Sequence, residues 1–493
     1  MSIAVTSKKL KIRELWGYAT GEGATSITIN GIANYAMLFY TQILGMSPEL
    51  AGLAFGIGTI YDAITDPVMG TVSDRTNSRF GRRHPYMLIG GVLLAVLFFF
   101  LWFVPESFQG EKRLFAYLVA INILIKSAFT VFVVPFTALG FEMCKTDDDR
   151  ARLQGVRCGF NMIINIVFGG LGWILFFPDG KAEDGSKIDG TKLAANFENM
   201  GIVLTICAAL LVLFCVYATY KFADKGLVKH EGGTVADHVK AFVHDLKDVY
   251  SDKLVWLVFG FFGLAQFSMM VVSQVQMFTY VEYMQFSAYE KTFVHTGGMV
   301  GFMLGSFMLG SLVRRLDKKK TGYIAMLIGS FGCLSLLVVF TGGLMETQSV
   351  VLFSDPKGNP FHLSSIVFGL LQTLWWGGCG ILVPCATAMI ADLSMIKKLK
   401  TGEVTEGRYA AGFSFFMKAA SALGLMVTGY ILKGVGYVSG AEQQTADTLD
   451  NLALMTFIVG PILMLASYLV LRKYPITHQS MNELRAQAGM EEA

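Results

Sequence analysis

The chain has 493 residues, 53% of them hydrophobic and only 16% charged, and it includes 39 Phe and 53 Gly. A soluble enzyme of that length carries far more charge, so the composition excludes one and points to a polytopic membrane protein. The formal net charge of +3 gives no footing for a nucleic-acid partner, because membrane topology accounts for the basic residues.

Apolar stretches of about twenty residues, enough to cross a hydrocarbon core of about 30 Å as helix, recur along the whole chain. Twelve spans are expected, at 16–45, 48–73, 86–105, 113–143, 153–177, 201–221, 254–283, 292–316, 323–345, 363–391, 408–433 and 452–471. With the N-terminus in the cytoplasm, most of the 40 Lys and Arg fall on that side, and the opposite loops hold only Lys112, Arg113, Lys181, Lys187, Lys192, Lys291, Lys357 and Lys433. The positive-inside rule therefore places both termini in the cytoplasm, as an even number of spans requires. The seven Cys lie in spans or at cytoplasmic ends, and no disulfide or Cys-x-x-Cys metal site is indicated.

A basic tail at 8–13 precedes a first span too long and too polar for a cleaved signal, so that helix is expected to stay in the mature protein. The second span carries the most informative residues. Asp62 and Asp66 are four apart, hence on one face of a helix, and an ionised carboxylate at membrane depth is costly enough to be read as functional. They precede the cytoplasmic marker Asp74 by about 18 and 12 Å of helix, which is near mid-membrane. Two acids on one face repel when both are ionised and invite a bound Na⁺ or a shared proton, and Thr65 adds a hydroxyl oxygen for a hard cation. In the basic loop that follows, Asp74, Arg75, Arg79, Arg82 and Arg83 are expected to pair with helix ends and to gate one conformation.

The fourth span holds an intramembrane cation, Lys126, and closes at Glu142; Arg157 opens the fifth. Glu142 and Arg157 are expected near the cytoplasmic boundary as gates or snorkelling anchors. The polar segments 178–199 and 346–362 are read as solvated external loops without chemistry. Between spans six and seven, Val235, Val239, Phe242, Val243, Leu246 and Val249 recur at helical spacing, the pattern of an amphipathic helix on the cytoplasmic face. His295 in the eighth span is read as structural. Trp375 and Trp376 lie too deep in the tenth for an interface belt, so one ring is a candidate to line a cavity against a sugar, with helix packing the open alternative. Lys418, in the eleventh span, is the second intramembrane cation. Lys126 and Lys418 each serve either as partner to Asp62 or Asp66 or as contact to an anionic group on a solute.

The loop after the second span, Gly70-x-x-x-Asp74-Arg75 then Gly81-Arg82-Arg83, has a counterpart after the eighth, Gly310 followed by Arg314, Arg315 and Asp317. Equivalent basic loops in two six-span halves suggest a transporter with its solute site between the halves. The expected units are an N-terminal bundle at 1–222, a linker at 223–253, a C-terminal bundle at 254–472 and a tail at 473–493.

At Asp62-Ala-Ile-Thr-Asp-Pro-Val-Met-Gly70, followed by Arg79-Phe-Gly-Arg-Arg-His-Pro85, the chain resembles the glycoside–pentoside–hexuronide:cation symporters, the melibiose permease family of the major facilitator superfamily. Val134-Pro-Phe-Thr-Ala-Leu139, the segment 147–157, Ala391-Asp392 and Lys418 extend the resemblance from about residue 16 to residue 471. It implies an all-α membrane protein of twelve transmembrane helices in two six-helix bundles. It also implies a cation site from Asp62, Asp66 and Thr130, with Lys418 coupled to it, for Na⁺, Li⁺ or H⁺ and with no other cofactor. The family's Asn between the acids is Thr65 here. Its two sugar-binding acids fall at Gly23, beside Glu22, and at Val133, which makes melibiose itself an unexpected substrate. Lys126 precedes Val133 by seven residues, within about 20° of the same face, so an acid-bearing wall has become a lysine-bearing one.

The expectation is therefore a monomeric, non-enzymatic, cation-coupled symporter of the cell (inner) membrane. Its solute is an acidic sugar such as a hexuronide or sulfonated sugar, with a lysophospholipid or other amphipathic anion as the alternative.

Overall fold

Long apolar runs broken only by Gly, Pro and single polar residues dictate helices, because away from water every backbone N–H and C=O must find its partner within its own segment. The computed structural model describes residues 9–483 apart from 77, 145, 182–186, 224–234, 404, 478 and 482. In chain order the helices are α1 (Ile12–Gly31), α2 (Pro48–Asp74), α3 (His84–Trp102), α4 (Glu111–Met143), α5 (Asp147–Ile164), α6 (Gly172–Phe176) and α7 (Ala194–Thr219). There follow α8 (Val235–Ser251), α9 (Lys253–Phe278), α10 (Ala288–Leu316), α11 (Lys318–Leu336), α12 (Leu363–Thr401), α13 (Glu406–Gly434) and α14 (Ala446–Leu471). π-helical turns extend α1 through Ile32–Ala36 and Phe39–Ile43, join α5 to α6 through Asn165–Gly170, and continue α9 through Thr279–Tyr283 and α11 through Leu337–Thr341. Two short antiparallel pairs, Gly180–Lys181 with Lys187–Ile188 and Val351–Ser354 with Pro360–His362, lie in the loops expected to be external.

Among the described residues nine helices are long and apolar enough to cross a membrane: α3, α4, α7 and α9 to α14. The other three expected spans correspond to α1, α2 and the α5–α6 rod, which carry Glu14 and Glu22, then Glu49, Asp62 and Asp66, then the charged run 147–157. Among the charges that set these three apart are Glu22, Asp62, Asp66 and Arg157, which build the site described below.

Within the N-terminal group, α1 packs on α7 and α5, α2 on α4, and α3 on α4 and α7; in the C-terminal group, α9 packs on α14 and α13, and α10 and α11 on α12. The groups meet where α2 runs along α13 and where α10 crosses α6 and the π turn before it. Glycines allow the first approach. A Cβ on Gly52 would stand 2.5 Å from the Leu425 carbonyl oxygen, and one on Gly429 would collide with the Pro48 carbonyl. These contacts lie at the end of the molecule opposite the chain termini, called the far end below.

A repeat that the basic loops do not reveal appears there. The runs 39–47 and 279–287 end their π turns in the same two bonds: Leu44 N to Phe39 O (3.1 Å) with Met46 N to Tyr40 O (2.9 Å), and Met284 N to Thr279 O (2.9 Å) with Phe286 N to Tyr280 O (3.0 Å). The residue inside each turn has positive φ, 68° at Gly45 and 52° at Gln285. The equivalent residues Gln42 and Glu282, 240 apart, touch one another, Nε2 donating to Oε1 at 3.0 Å. A residue that meets its own repeat equivalent lies beside the local twofold axis relating the repeats.

The expected linker helix is present as α8, but it is docked rather than lying free. Val249 is buried against Gly412, Asp248 pairs with Lys397 (2.6 Å) and Asp245 with Arg408 (3.1 Å), tying α8 to α12 and α13. Of its expected apolar face, Phe242 and Leu246 are half-buried and Val243 is exposed, while the Val235 and Val239 side chains lie outside the described ones.

Gly52→Val should wedge α2 from α13 at the far end. The check is the distance between spin labels at Glu106 and Val350 in detergent: a new, longer component is expected, and an unchanged distribution would show that the glycine contact does not hold the far end shut.

Candidate functional site

Asp62 and Asp66 present their carboxylates from one face of α2, one turn apart, just before Pro67, whose missing N–H leaves the Ala63 carbonyl without a helical donor. Lys418 reaches them from α13, its Nζ 2.8 Å from Asp62 Oδ2 and 2.5 Å from Asp66 Oδ2. Thr130 on α4 spans the same pair, its hydroxyl 2.9 Å from Asp66 Oδ1 and 3.2 Å from Asp62 Oδ1. The Lys418 ammonium thus sits among the oxygens that α2 and α4 turn toward one another. Asp62 is buried, whereas Asp66 keeps 34% of its side chain accessible. Thr65 does not join them: its hydroxyl donates to its own helix, 3.2 Å from the Tyr61 carbonyl and 3.4 Å from that of Asp62.

Lys126 approaches the same cluster, its Nζ 3.9 Å from Asp62 Oδ2 and 5.7 Å from the Phe129 ring centroid. It also lines a cavity of about 170 Å³ between the helix groups, with Asn122, Thr59, Gln274 and Ser421 as polar neighbours and Ile29, Phe55, Ile125, Phe129 and Leu425 as apolar walls. Two carboxylates therefore face two ammonium groups, and the cluster is balanced.

A second constellation runs along α1 and α5. Arg157 Nε is 2.5 Å from Glu22 Oε2; Asn161 donates to Ser26 Oγ at 2.7 Å, Asn165 to Asn161 Oδ1 at 2.7 Å, and Asn30 to Asn165 Oδ1 at 2.5 Å. Arg157 thus pairs with Glu22 on α1 and does not lie at the end of its helix. The helix starts at Asp147 rather than near 153, so Arg157 lies ten residues, about 15 Å, inside it.

Four expected solute contacts lie elsewhere. Gly23 packs on Phe160 and Leu211, Val133 on the buried cluster around Tyr18 and Phe136, and Trp375 is wholly buried against Gly329, Gly332 and Gly460. Trp376 packs on Gly298 and Phe302. The aromatic rings at the cavity are Phe55 and Phe129 instead.

Of the expected gating residues, Arg83 is the hub. It bonds Ser73 Oγ (2.6 Å), Glu142 Oε1 (2.9 Å) and Asp74, while Arg82 bonds Glu142 at 2.8 Å and Arg75 follows the last turn of α2. These bonds tie α2 and α4 to the start of α3. The counterpart in the other half is Lys318, 2.5 Å from Asp392, beside Asp317 at the N-cap of α11.

Sequence reasoning missed the polar contacts at the far end. Asp189 pairs with Lys291, Glu282 accepts from Lys192 (3.2 Å) as well as Gln42, and Glu49 pairs with Lys433 (2.6 Å). The segment 178–199 is therefore no solvated bystander: Asp189 and Lys192 join the two helix groups. Burial acts to raise the Asp189 carboxyl, but the Lys291 ammonium and two bonds from Thr191 outweigh it and hold it below the usual carboxylate range. The stabilisation it gives is present above that range and is lost only as pH falls through the lowered value. Glu282 and Lys291, charged residues at the ends of apolar spans, were the signal that partners had to exist.

A family model described as MFS/sugar transport protein matches residues 17–478. An uncharacterized symporter of Bacillus subtilis, YnaJ, is 27% identical over 93% of this chain and 91% of its own length. A glucuronide carrier protein homolog of Escherichia coli is 23% identical over 97% of this chain and 95% of its own. The crystal structure of a bacterial homolog to the human lysosomal transporter Spinster, inward-facing and unoccupied, aligns with a TM-score of 0.63 at 12% identity, over 94% of this chain and 98% of that one. This likeness shows the fold.

Arg157→Ala should leave Glu22 without its charge partner among buried neighbours, a loss of about 3 kcal/mol for such pairs. Thermal unfolding in detergent should shift down, and adding Glu22→Gln should recover most of the shift. If the double variant melts no higher than the single one, the pair is not the stabilising contact described.

Proposed function

The chain belongs to the MFS/sugar transport family, and from that premise we propose that it is a cation-coupled symporter of an acidic sugar, working by alternating access. It is a multi-pass protein of the cell membrane and carries sugar-like solutes by secondary transport. The reading places twelve spans in two six-helix halves with the terminal end in the cytoplasm, and takes the far-end-closed arrangement as the state open toward the cytoplasm. The packed far end, together with the accessible third of Asp66, supports that assignment.

The observation that carries the proposal is Lys418 bridging Asp62 and Asp66. A coupling cation, Na⁺ or H⁺, that binds these carboxylates displaces the lysine. Two carboxylates, one cation, Lys418 and Lys126 then leave one net positive charge beside the cavity, and a monoanionic solute restores neutrality. Neither ligand is favourable alone: the solute without the cation meets a balanced cluster, and the cation without the solute leaves an excess charge at membrane depth. That mutual dependence is symport coupling in energetic terms. The name of the glucuronide carrier homolog supports a sugar acid as the anion. The apolar cavity walls Ile29, Ile125, Phe129 and Leu425 favour, as a second reading, an amphipathic anion such as a lysophospholipid.

In proteoliposomes, Asp66→Asn should abolish accumulation of methyl β-glucuronide against its gradient while leaving exchange intact; undiminished accumulation would contradict the proposal. Lys126→Ala should raise KM for the glucuronide about tenfold, the effect of about 1.4 kcal/mol of lost pairing, and leave methyl β-glucoside unchanged. Competition by a lysolipid and none by the sugar acid would select the second reading.

A further inference from the structure

Where α10 crosses the π turn Asn165–Gly170 and α6, five buried polar atoms have no hydrogen-bond partner among the described residues: Asn34 Nδ2, Trp173 Nε1, Thr292 Oγ1, His295 Nε2 and Thr296 Oγ1. They are neighbours. The Trp173 and His295 rings are 6.4 Å apart, a Cβ on Gly170 would collide with Thr296 Oγ1, and one on Gly169 would stand 3.5 Å from Asn34 Nδ2. Thr292, His295 and Thr296 occupy one face of α10 at spacings of three and four. The Tyr35 hydroxyl beside them shows the ordinary case, satisfied by the carbonyls of Phe168 and Gly169 at 3.3 Å each.

Buried polar groups are as a rule hydrogen-bonded, and those left unpaired disfavour the state that buries them. Asn34 and Trp173 belong to one helix group and the three α10 residues to the other, so the cluster is a seam that opens when the far ends part. It lies at the α5–α10 side of the interface, away from Asp62, Asp66 and Lys418 between α2 and α13. Its own groups differ from those of the cation cluster: an indole face, an amide, an imidazole and two hydroxyls, bordered by the Lys291 ammonium, which is paired to Asp189 and lies 5.6 Å from the Trp173 ring centroid. That set matches the apolar face and the hydroxyls of a sugar ring.

We propose that these residues form an outer subsite for the sugar ring of the solute, exposed when the far end is open and buried when it closes. This rests on the symporter reading above. The subsite would take the neutral part of the molecule on its way inward, with ring hydroxyls meeting Asn34, Thr292, His295 and Thr296 and the ring stacking on Trp173. Closure then strips the solute from the seam, because the groups that held it are pressed into the interface, and leaves the inner cavity with Lys126 as the better site.

The test is alkylation of Thr296→Cys by a membrane-impermeant maleimide added to the far-end side of sealed vesicles, with the background from the seven native free thiols measured in the parent protein. Ser439→Cys, also between the groups at the far end but bonded to the Met46 carbonyl, is the control. Methyl β-glucuronide at about ten times its KM should slow alkylation of Thr296→Cys about tenfold, the factor expected for occupancy, and slow Ser439→Cys much less. Equal slowing at both positions reports closure without occupancy and overturns the subsite. So does alkylation of Thr296→Cys that the sugar leaves unchanged, or no alkylation from that side at all. Should Thr296→Cys not fold, Thr292→Cys carries the same expectations. Uptake of neither methyl β-glucuronide nor methyl β-glucoside by the parent protein would overturn the symporter reading itself, and the subsite with it.

Discussion

An ammonium group from one half of the chain lies between two carboxylates from the other, and the rest of the structure is organised around that contact. Without Lys418, Asp62 and Asp66 would face one another across one helical turn with only the Thr130 hydroxyl and the more distant Lys126 nearby. Like charges that close cannot both stay ionised at membrane depth at low cost. The ion pair resolves the repulsion and at the same time tethers α13 to α2, the contact along which the two groups are most closely packed. A tether made of charge can be exchanged for another charge, which a glycine contact cannot. This distinguishes the mid-depth site from the far-end packing of Gly52 and Gly429, which depends on shape alone.

The placement of polar residues follows the same logic. α1, α2 and the α5–α6 rod are the helices that fall short of the apolar standard met by nine others among the described residues. Each finds partners for its charges within the chain: Glu22 with Arg157, Asp62 and Asp66 with Lys418, and, at the surface, Glu49 with Lys433. The pairs of Asp62, Asp66 and Glu49 join the two groups and that of Glu22 joins α1 to α5, whereas helices such as α3 and α7 can turn long apolar faces outward, with Leu93, Val96, Ile206 and Leu210 exposed.

The sequence made Asp62 and Asp66 legible because two local quantities, helical spacing and distance from a basic loop, settle both their shared face and their depth. Which lysine pairs with them is tertiary: charge and depth alone admit both Lys126 and Lys418, and only the family resemblance couples Lys418 to the acids; the structure gives Lys418 both carboxylates and keeps Lys126 at the edge. Arg157 was misplaced for a simpler reason: charged residues open α5, so an apolar window starts the helix six residues late and moves Arg157 from its interior to its end. Trp375 was unreadable, since only the glycines of α11 and α14 that receive it determine that it faces the core. The far-end pairs were hidden because Asp189 and Lys192 belong to a segment whose composition is that of any solvated loop, and their partners Lys291 and Glu282 are about a hundred residues away. The second repeat, in which Tyr40 and Tyr280 play the same part, shares too few identities to stand out beside the basic loops, although its backbone bonds coincide.

The central claim is that Lys418 and the coupling cation compete for the same oxygens. It is tested most directly by measuring the affinity of the purified protein for that cation, Na⁺ by calorimetry and H⁺ by titration of the carboxyl signals, in the parent and in Lys418→Gln. Removing the internal competitor should tighten cation binding by about tenfold or more, since displacing an ion pair no longer opposes it. Cation affinity that is unchanged or weaker in Lys418→Gln would contradict the account.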